Sequence, residues 1–214
     1  MDGAAAHLAY GAAWASFGLG HSWLAGRGPK ARLARLLGPF YRLAYNGFAV
    51  AHIGAVYLAG LWLFAGHGTW ALPPALATAG LAVHLLGWVL MLWGLRGYDL
   101  GLLAGTGQVR QARAGLPPVE DEPLRLDGPH RYVRHPLYAG GVLILVGRVH
   151  DDLSAATAVF GCLYLWIGTL FEERRLLRLY GDAYARYRAR VPAVLPWRGR
   201  VDLGDLSDRG AANV

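Results

Sequence analysis

The sequence predicts an all-α, polytopic integral membrane protein of about five transmembrane helices, with cytoplasmic amphipathic helices toward its C-terminal end. Three observations predict it. Hydrophobic residues make up 55% of the 214 positions and charged residues only 16%, too apolar a balance for a soluble domain of this size. Four stretches, 4–25, 45–66, 73–95 and 153–171, have the length of a spanning helix and carry few or no formal charges. The basic residues, finally, fall almost entirely on alternate connections between those stretches.

The first apolar stretch follows Met1 and Asp2, an acidic opening unlike the basic start of a secretory signal, so it is expected to remain as a helix. The connection to the second carries Arg27, Lys30, Arg32, Arg35 and Arg42. After the third come Arg96, Arg110, Arg113, Arg125, Arg131 and Arg134, and after the last Arg174, Arg175, Arg178, Arg186, Arg188, Arg190, Arg198, Arg200 and Arg209. A fifth apolar run, 137–147, is too short to span alone, and the turn "RVHDD" behind it holds the one remaining cation, Arg148. If all five cross, alternation gathers every cation except Arg148 on one face. The positive-inside bias makes that face cytoplasmic, with the N-terminus outside and the C-terminus inside. The net charge of +7 is then topological, and no nucleic-acid partner is read from it. The lone cysteine, Cys162, allows neither an internal disulfide nor a cysteine-rich metal site.

The stretch "GPHRYVRHPLYAGG", 128–141, sets His130, Arg131, Arg134 and His135 against Pro136 and an apolar run. Charges at 148–152 must reach water or headgroups. A helix counted back from there needs roughly 20 residues to cross about 30 Å of hydrocarbon, and the count ends near Arg131. The same count forward ends at Phe171 and Glu172. In an antiparallel hairpin turning near 150, His135 is expected level with Trp166, and residues 128–131 level with Glu172 and Glu173. The expectation is a polar pocket at the cytoplasmic membrane edge, walled by Tyr138 and Trp166. Pro136 removes a backbone donor and bends the entry, which suits the lining of a cavity.

Beyond Glu172, Leu176, Leu177, Tyr180, Tyr184 and Tyr187 recur at helical spacing, with Gly181 as a bend and Pro192 as a stop. This predicts amphipathic helices along the membrane surface that roof the pocket. The loop 96–127 contains Gly-Thr-Gly at 105–107, which follows no strand and is no nucleotide fingerprint. The stretch "LPPVEDEP" reads as a flexible connector. The chain thus divides into a three-helix region at 1–95, a cytoplasmic loop at 96–127, a core at 128–200 and a tail at 201–214. His52 and His84, near the middles of the second and third helices, leave open a haem-binding or accessory membrane protein. Hydrogen bonding between helices is the ordinary use of such residues.

The block "GPHRYVRHPLYAGG", with "FEERRLLRLYGDAYARYRARVPAVLP" downstream, resembles the isoprenylcysteine carboxyl methyltransferase superfamily of membrane methyltransferases. "GHSWLA", "LGPFYRLAYNGFAV" and "GYDLGLLAGTGQVR" look like its methanethiol S-methyltransferase branch, and the first two are also similar to a bacterial membrane family associated with denitrification. The resemblance implies a bacterial inner-membrane enzyme that binds S-adenosylmethionine without a Rossmann fold. His135 and Tyr138 carry over as cofactor contacts, as do Glu172 and Glu173; His130, Tyr132, Pro136 and Trp166 belong to the same candidate pocket. Arg134, Arg174 and Arg188 are candidates to favour the thiolate of an acceptor, with no dedicated general base and no metal ligand implied. The acceptor implied is a small thiol such as methanethiol; a prenylated cysteine or other lipophilic acceptor is the alternative, and membrane lipids are the surroundings.

Overall fold

The computed structural model describes residues 3–117 and 124–202. Among them it is helical, with two 3-10 turns and one isolated antiparallel bridge between Thr69 and Asp151. The helices are α1 (Gly3–Ala25), α2 (Arg27–Leu37), α3 (Tyr41–Leu63), α4 (Pro74–Leu95), α5 (Leu100–Ala104), α6 (Thr106–Arg113), α7 (Pro136–Val146) and α8 (Asp152–Arg190). Most of "LPPVEDEP" and of the 201–214 tail lies outside the described residues.

Among the described residues, three helical runs are long and apolar enough to cross a membrane: Gly28–Leu63, whose apolar part is α3, then α4 and α8. Their large side chains are mostly uncovered, among them Leu58, Trp62, Leu86, Val89 and Val159. So much apolar surface is stable only against lipid. The first helix has 23 residues but is not one of these three. The 11 residues of α7 rise about 16 Å at 1.5 Å each, short of a bilayer's roughly 30 Å. The helix counted back to Arg131 is therefore not formed; residues 128–131 make a 3-10 turn and the chain stays irregular up to His135.

The helix limits follow from local chemistry. Pro74 and Pro136 occupy first-turn positions, where a missing N–H costs nothing. At the start of α8, Asp151 Oδ1 accepts from the Ser154 N–H at 2.7 Å while the Asp151 N–H donates to Ser154 Oγ at 3.0 Å. That reciprocal pair satisfies two otherwise orphaned donors. Far along α8, Gly181 adopts φ 51° and ψ −128°, a break that a side chain would strain. The expected bend at Gly181 is thus present, and the amphipathic segment is a bent continuation of the last long helix.

The chain forms two compact units. One comprises Met1–Trp70, Tyr98–Asp121 and Asp151–Phe160; the other comprises Ala71–Gly97, Glu122–His150 and Gly161–Val214. In the first, Tyr10 is fully buried and shares a 2.9 Å hydrogen bond with Thr157 Oγ1. Its ring meets Phe64 and Phe160 edge-on. Asp152 accepts from His67 Nδ1 at 2.7 Å and from Trp70 Nε1 at 3.1 Å. In the second, α4 and α7 touch backbone to backbone: a Cβ on Gly140 would lie 2.9 Å from the Gly87 carbonyl oxygen. That is the close packing expected of a small-residue helix contact.

Candidate functional site

The second unit gathers the charged residues of the 128–138 and 172–188 stretches into one cluster. Its hub is Glu173, 6% exposed. Arg134 Nε donates to Glu173 Oε1 at 2.9 Å, with a second bond to the same oxygen from its terminal amino group. Arg188 Nε reaches Glu173 Oε2 at 3.1 Å. His135 Nε2 donates to Glu173 Oε1 at 3.3 Å, and its Nδ1 lies 3.5 Å from Glu172 Oε2. A carboxylate on each side of one imidazole favours the doubly protonated ring, which alone can donate from both nitrogens. Burial works against that charge, but Glu172 and Glu173 outweigh it and hold the His135 pKa above its ordinary value.

Local sequence explains why these groups meet. His135 precedes Pro136, so its backbone cannot continue a helix. Instead its N–H donates to the Ala193 carbonyl at 3.0 Å, and the Arg134 N–H donates to Pro192 at 2.8 Å. The Arg134 guanidinium also donates to the carbonyls of Arg188 and Val191. The segment ahead of α7 is thereby pinned to the segment after α8. Beneath it lie Tyr184, Tyr187 and Val191, each about 1% exposed. Tyr187 Oη donates to the His130 carbonyl at 2.8 Å.

Each predicted residue has a definite place. His130 is buried, and its Nδ1 donates to the Arg134 carbonyl at 3.2 Å; burial foremost pushes its pKa down. Tyr132 packs its ring against Trp93 at 5.9 Å. Pro136 is fully buried. Tyr138 stacks on His135, centroids 5.5 Å apart and planes 13° from parallel. Glu172 keeps 40% of its side chain exposed and Arg188 keeps 48%.

Two residues stand apart from the cluster. Trp166 is 60% exposed, and His135 meets Glu172 and Glu173 in its stead. Arg174 is exposed and rests over the Phe171 ring at 5.7 Å. Residues 128–131 pair with Tyr187 and with the Val201 N–H, which donates to the Arg131 carbonyl at 2.9 Å, while the described bonds of Glu173 run to Arg134, His135 and Arg188. The level count is corrected for a physical reason. It used the α-helical rise throughout, whereas residues 132–135 and the connection after α7 are not helical and advance up to about 3.3 Å per residue. Tyr138 accordingly faces Gly168. The cross-pairing of 134–135 with 192–193 was not foreseen; its trace in the sequence is Val191-Pro192 following two spaced tyrosines.

The intramembrane histidines have local partners. In the second unit, His84 Nδ1 donates to the Ile144 carbonyl at 2.9 Å, and Trp88 Nε1 donates to His84 Nε2 at 3.0 Å. Both ring nitrogens are engaged, which leaves no lone pair for a haem iron. In the first unit, His52 Nε2 bonds Ser16 Oγ at 3.1 Å. Among the described residues no group of three or more metal-ligating side chains is assembled.

Comparison with known proteins agrees with the resemblance carried by the motifs. The chain is 32% identical over 133 residues to methanethiol S-methyltransferase 1 of Bradyrhizobium diazoefficiens, covering 60% of this chain and 45% of that protein. It is 32% identical over 128 residues to the methanethiol S-methyltransferase of Mycobacterium tuberculosis, covering 59% and 52%. It is 34% identical over 83 residues to the protein-S-isoprenylcysteine O-methyltransferase of Schizosaccharomyces pombe, covering 36% and 34%. No family model matches the chain and no solved structure matches it. The chain spans about half the length, or less, of the curated relatives it matches. Its likeness is thus to the isoprenylcysteine carboxyl methyltransferase superfamily of membrane methyltransferases, on the side of the methanethiol S-methyltransferases.

Proposed function

We propose that the protein is a membrane methyltransferase that uses S-adenosylmethionine and methylates a small thiol, methanethiol-like, to a thioether. The observation that carries this reading is the cluster in which His135, Glu172, Glu173, Arg134 and Arg188 share charge beside the face of Tyr138. The relatives' names supply the reaction class.

The residues fit the cofactor. Its amino-acid end offers one carboxylate and one ammonium. Arg188 spends only its Nε on Glu173 among the described contacts, so its terminal amino groups suit a carboxylate. Half-exposed Glu172 suits the ammonium, and the Tyr138 face suits a sulfonium cation. When bound, S-adenosylmethionine supplies an electrophilic methyl group. The chain's part is to bind, orient and exclude water, which is most of what an in-line displacement needs. Glu173 and Arg134 act as a frame: they hold His135 and Arg188 in place and touch little else.

The acceptor's sulfur would take the methyl as the methyl–sulfonium bond breaks, the donor would leave as its neutral thioether, and the thiol's proton would go to solvent. An ordinary thiol pKa is near 8.5, so a neighbouring guanidinium is enough to favour the thiolate. Arg188 is the candidate with exposure at the cluster. Arg134 is committed to Glu173 and backbone carbonyls, and Arg174 lies over Phe171. The tight approach of Gly87 and Gly140 favours a small acceptor over one that needs a wide gap between α4 and α7 for a prenyl tail. The orientation proposed is N-terminus outside and C-terminus in the cytoplasm of a bacterial inner membrane.

The test is transfer of labelled methyl from S-adenosylmethionine by membranes containing the protein. Methanethiol, larger thiols and a prenyl-cysteine acid are supplied in parallel, and dimethyl sulfide is read in the headspace. Dimethyl sulfide formation supports the reading; methylation of the prenyl-cysteine acid with no thiol product overturns it. Equilibrium dialysis gives a separate readout. Arg188→Ala should weaken cofactor binding about tenfold or more, while Arg174→Ala leaves it within about twofold.

A further inference from the structure

A second feature lies in the first unit, apart from the charged cluster. Between α1, α2 and the start of α3 is an open groove of about 330 Å³ lined by Gly20, Trp23, Leu33, Leu37, Tyr45 and Phe48, with Ala44 at its wall. The lining is almost wholly apolar, and its two phenols turn their hydroxyls elsewhere. Tyr41 Oη donates to the Leu24 carbonyl at 2.8 Å and Tyr45 Oη bonds His21 Nε2 at 2.5 Å. Trp23, Leu37 and Phe48 remain 65%, 40% and 44% exposed, so the chain itself does not fill the groove.

The charge beside it is one-sided. Lys30, Arg32 and Arg35 are exposed on α2, and Lys30 lies on the same helical stripe as Leu33 and Leu37, at i, i+3 and i+7. No aspartate or glutamate occurs from residue 3 to residue 98. Among the described residues of this unit the acidic side chains are engaged elsewhere: Asp99 caps α5 at the Leu102 N–H, Asp151 caps α8, and Asp152 pairs with His67 and Trp70. No described ion pair neutralises the three cations of α2.

From this juxtaposition we propose that the groove holds an acyl chain of an anionic phospholipid whose headgroup is bound by Lys30, Arg32 and Arg35. An uncharged groove rimmed by unneutralised cations matches an amphiphile with a negative head and an apolar tail. A zwitterionic lipid would fill the groove as well but would gain nothing from the rim. A soluble anion would satisfy the rim and leave the groove open.

The site is tested by native mass spectrometry of the full chain released from detergent with phosphatidylglycerol and phosphatidylcholine of identical acyl chains, offered at equal concentration. The unaltered protein should retain phosphatidylglycerol about tenfold or more over phosphatidylcholine. The triple variant Lys30→Glu, Arg32→Glu, Arg35→Glu should bring that ratio near one. Ala44→Trp, which fills the groove, should reduce retention of both lipids at least fivefold, and Arg186→Glu, on exposed α8 surface, should change neither. Equal retention by the unaltered protein, a ratio indifferent to the charge reversal, retention indifferent to Ala44→Trp, or a lipid-free dimer that occupies the groove with a second copy would each overturn the proposal.

Discussion

Replacing Glu173 by glutamine keeps the shape of the side chain and removes the charge on which the cluster converges. Glu173 and Arg134 have side chains only 7% and 9% exposed, and His135 beside them is 6% exposed. Breaking a buried ion pair from one side costs about 3–5 kcal/mol, because the cation left behind stays desolvated. The glutamine carbonyl can still accept one bond from Arg134, worth about 1 kcal/mol. The Arg134 bonds to the Arg188 and Val191 carbonyls persist. The net loss should therefore be roughly 2–4 kcal/mol. For a chain of this length that corresponds to a fall of roughly 4–16 °C in the apparent melting temperature, at about 2–4 °C per kcal/mol. The assay is thermal unfolding in detergent, followed by circular dichroism at one heating rate, since membrane proteins often unfold irreversibly. Glu172→Gln is the internal comparison: its side chain is 40% exposed, so its loss should be about 0–1 kcal/mol. A Glu173→Gln protein melting within about a degree of the unaltered one, or no better than matched by Glu172→Gln, would refute the view of Glu173 as the buried hub.

The two histidines of the site should give stability a pH dependence of opposite signs. His135 has a raised folded-state pKa, so its contribution is complete below the ordinary value near 6.5 and is lost as pH rises through the folded value. His130 has a lowered one, so its contribution is present above about 6.5 and fades as pH falls; melting temperature should peak between the two limbs, and His135→Gln should remove the alkaline limb alone. Gly87→Val would place a Cβ 2.8 Å from the Gly140 carbonyl oxygen, costing about 1–3 kcal/mol or more by overpacking. Gly54→Ala, with no atom within 4 Å of the added carbon, should not lower the melting temperature and should gain up to about 1 kcal/mol from helix propensity. Reporter fusions after Gly68 and after Val191 should report opposite sides of the membrane, extracytoplasmic and cytoplasmic; signals from the same side would reject the proposed orientation.

The sequence by itself determined the elements that depend on local periodicity and length. The apolar stretches at 4–25, 73–95 and 137–147 coincide almost residue for residue with α1, α4 and α7. Tyr45 as the start of the second stretch missed by one turn, because Tyr41 and Arg42 are polar enough to read as loop and yet continue the helix. Gly181 was legible as a bend because only glycine accepts its positive φ without strain. His135, Glu172 and Glu173 were legible as members of one charged pocket at the ends of a hairpin, but not as direct partners, since the helical count set His135 level with Trp166.

Only the tertiary structure decided which helices and which strands of backbone come together. That α7 packs on α4 through Gly87 and Gly140 depends on interhelical approach, for which a lone glycine at either position is an ambiguous signal. Arg134 read as a free cation poised for chemistry. The fold turns it into a frame, because the carbonyls of Arg188 and Val191, more than fifty residues away, supply acceptors that no local pattern announces. The exclusion of Trp166 from the cluster has the same origin. Its level was set by non-helical backbone on both sides of α7, where each residue advances about twice as far as in a helix, and only the folded path reveals that sum.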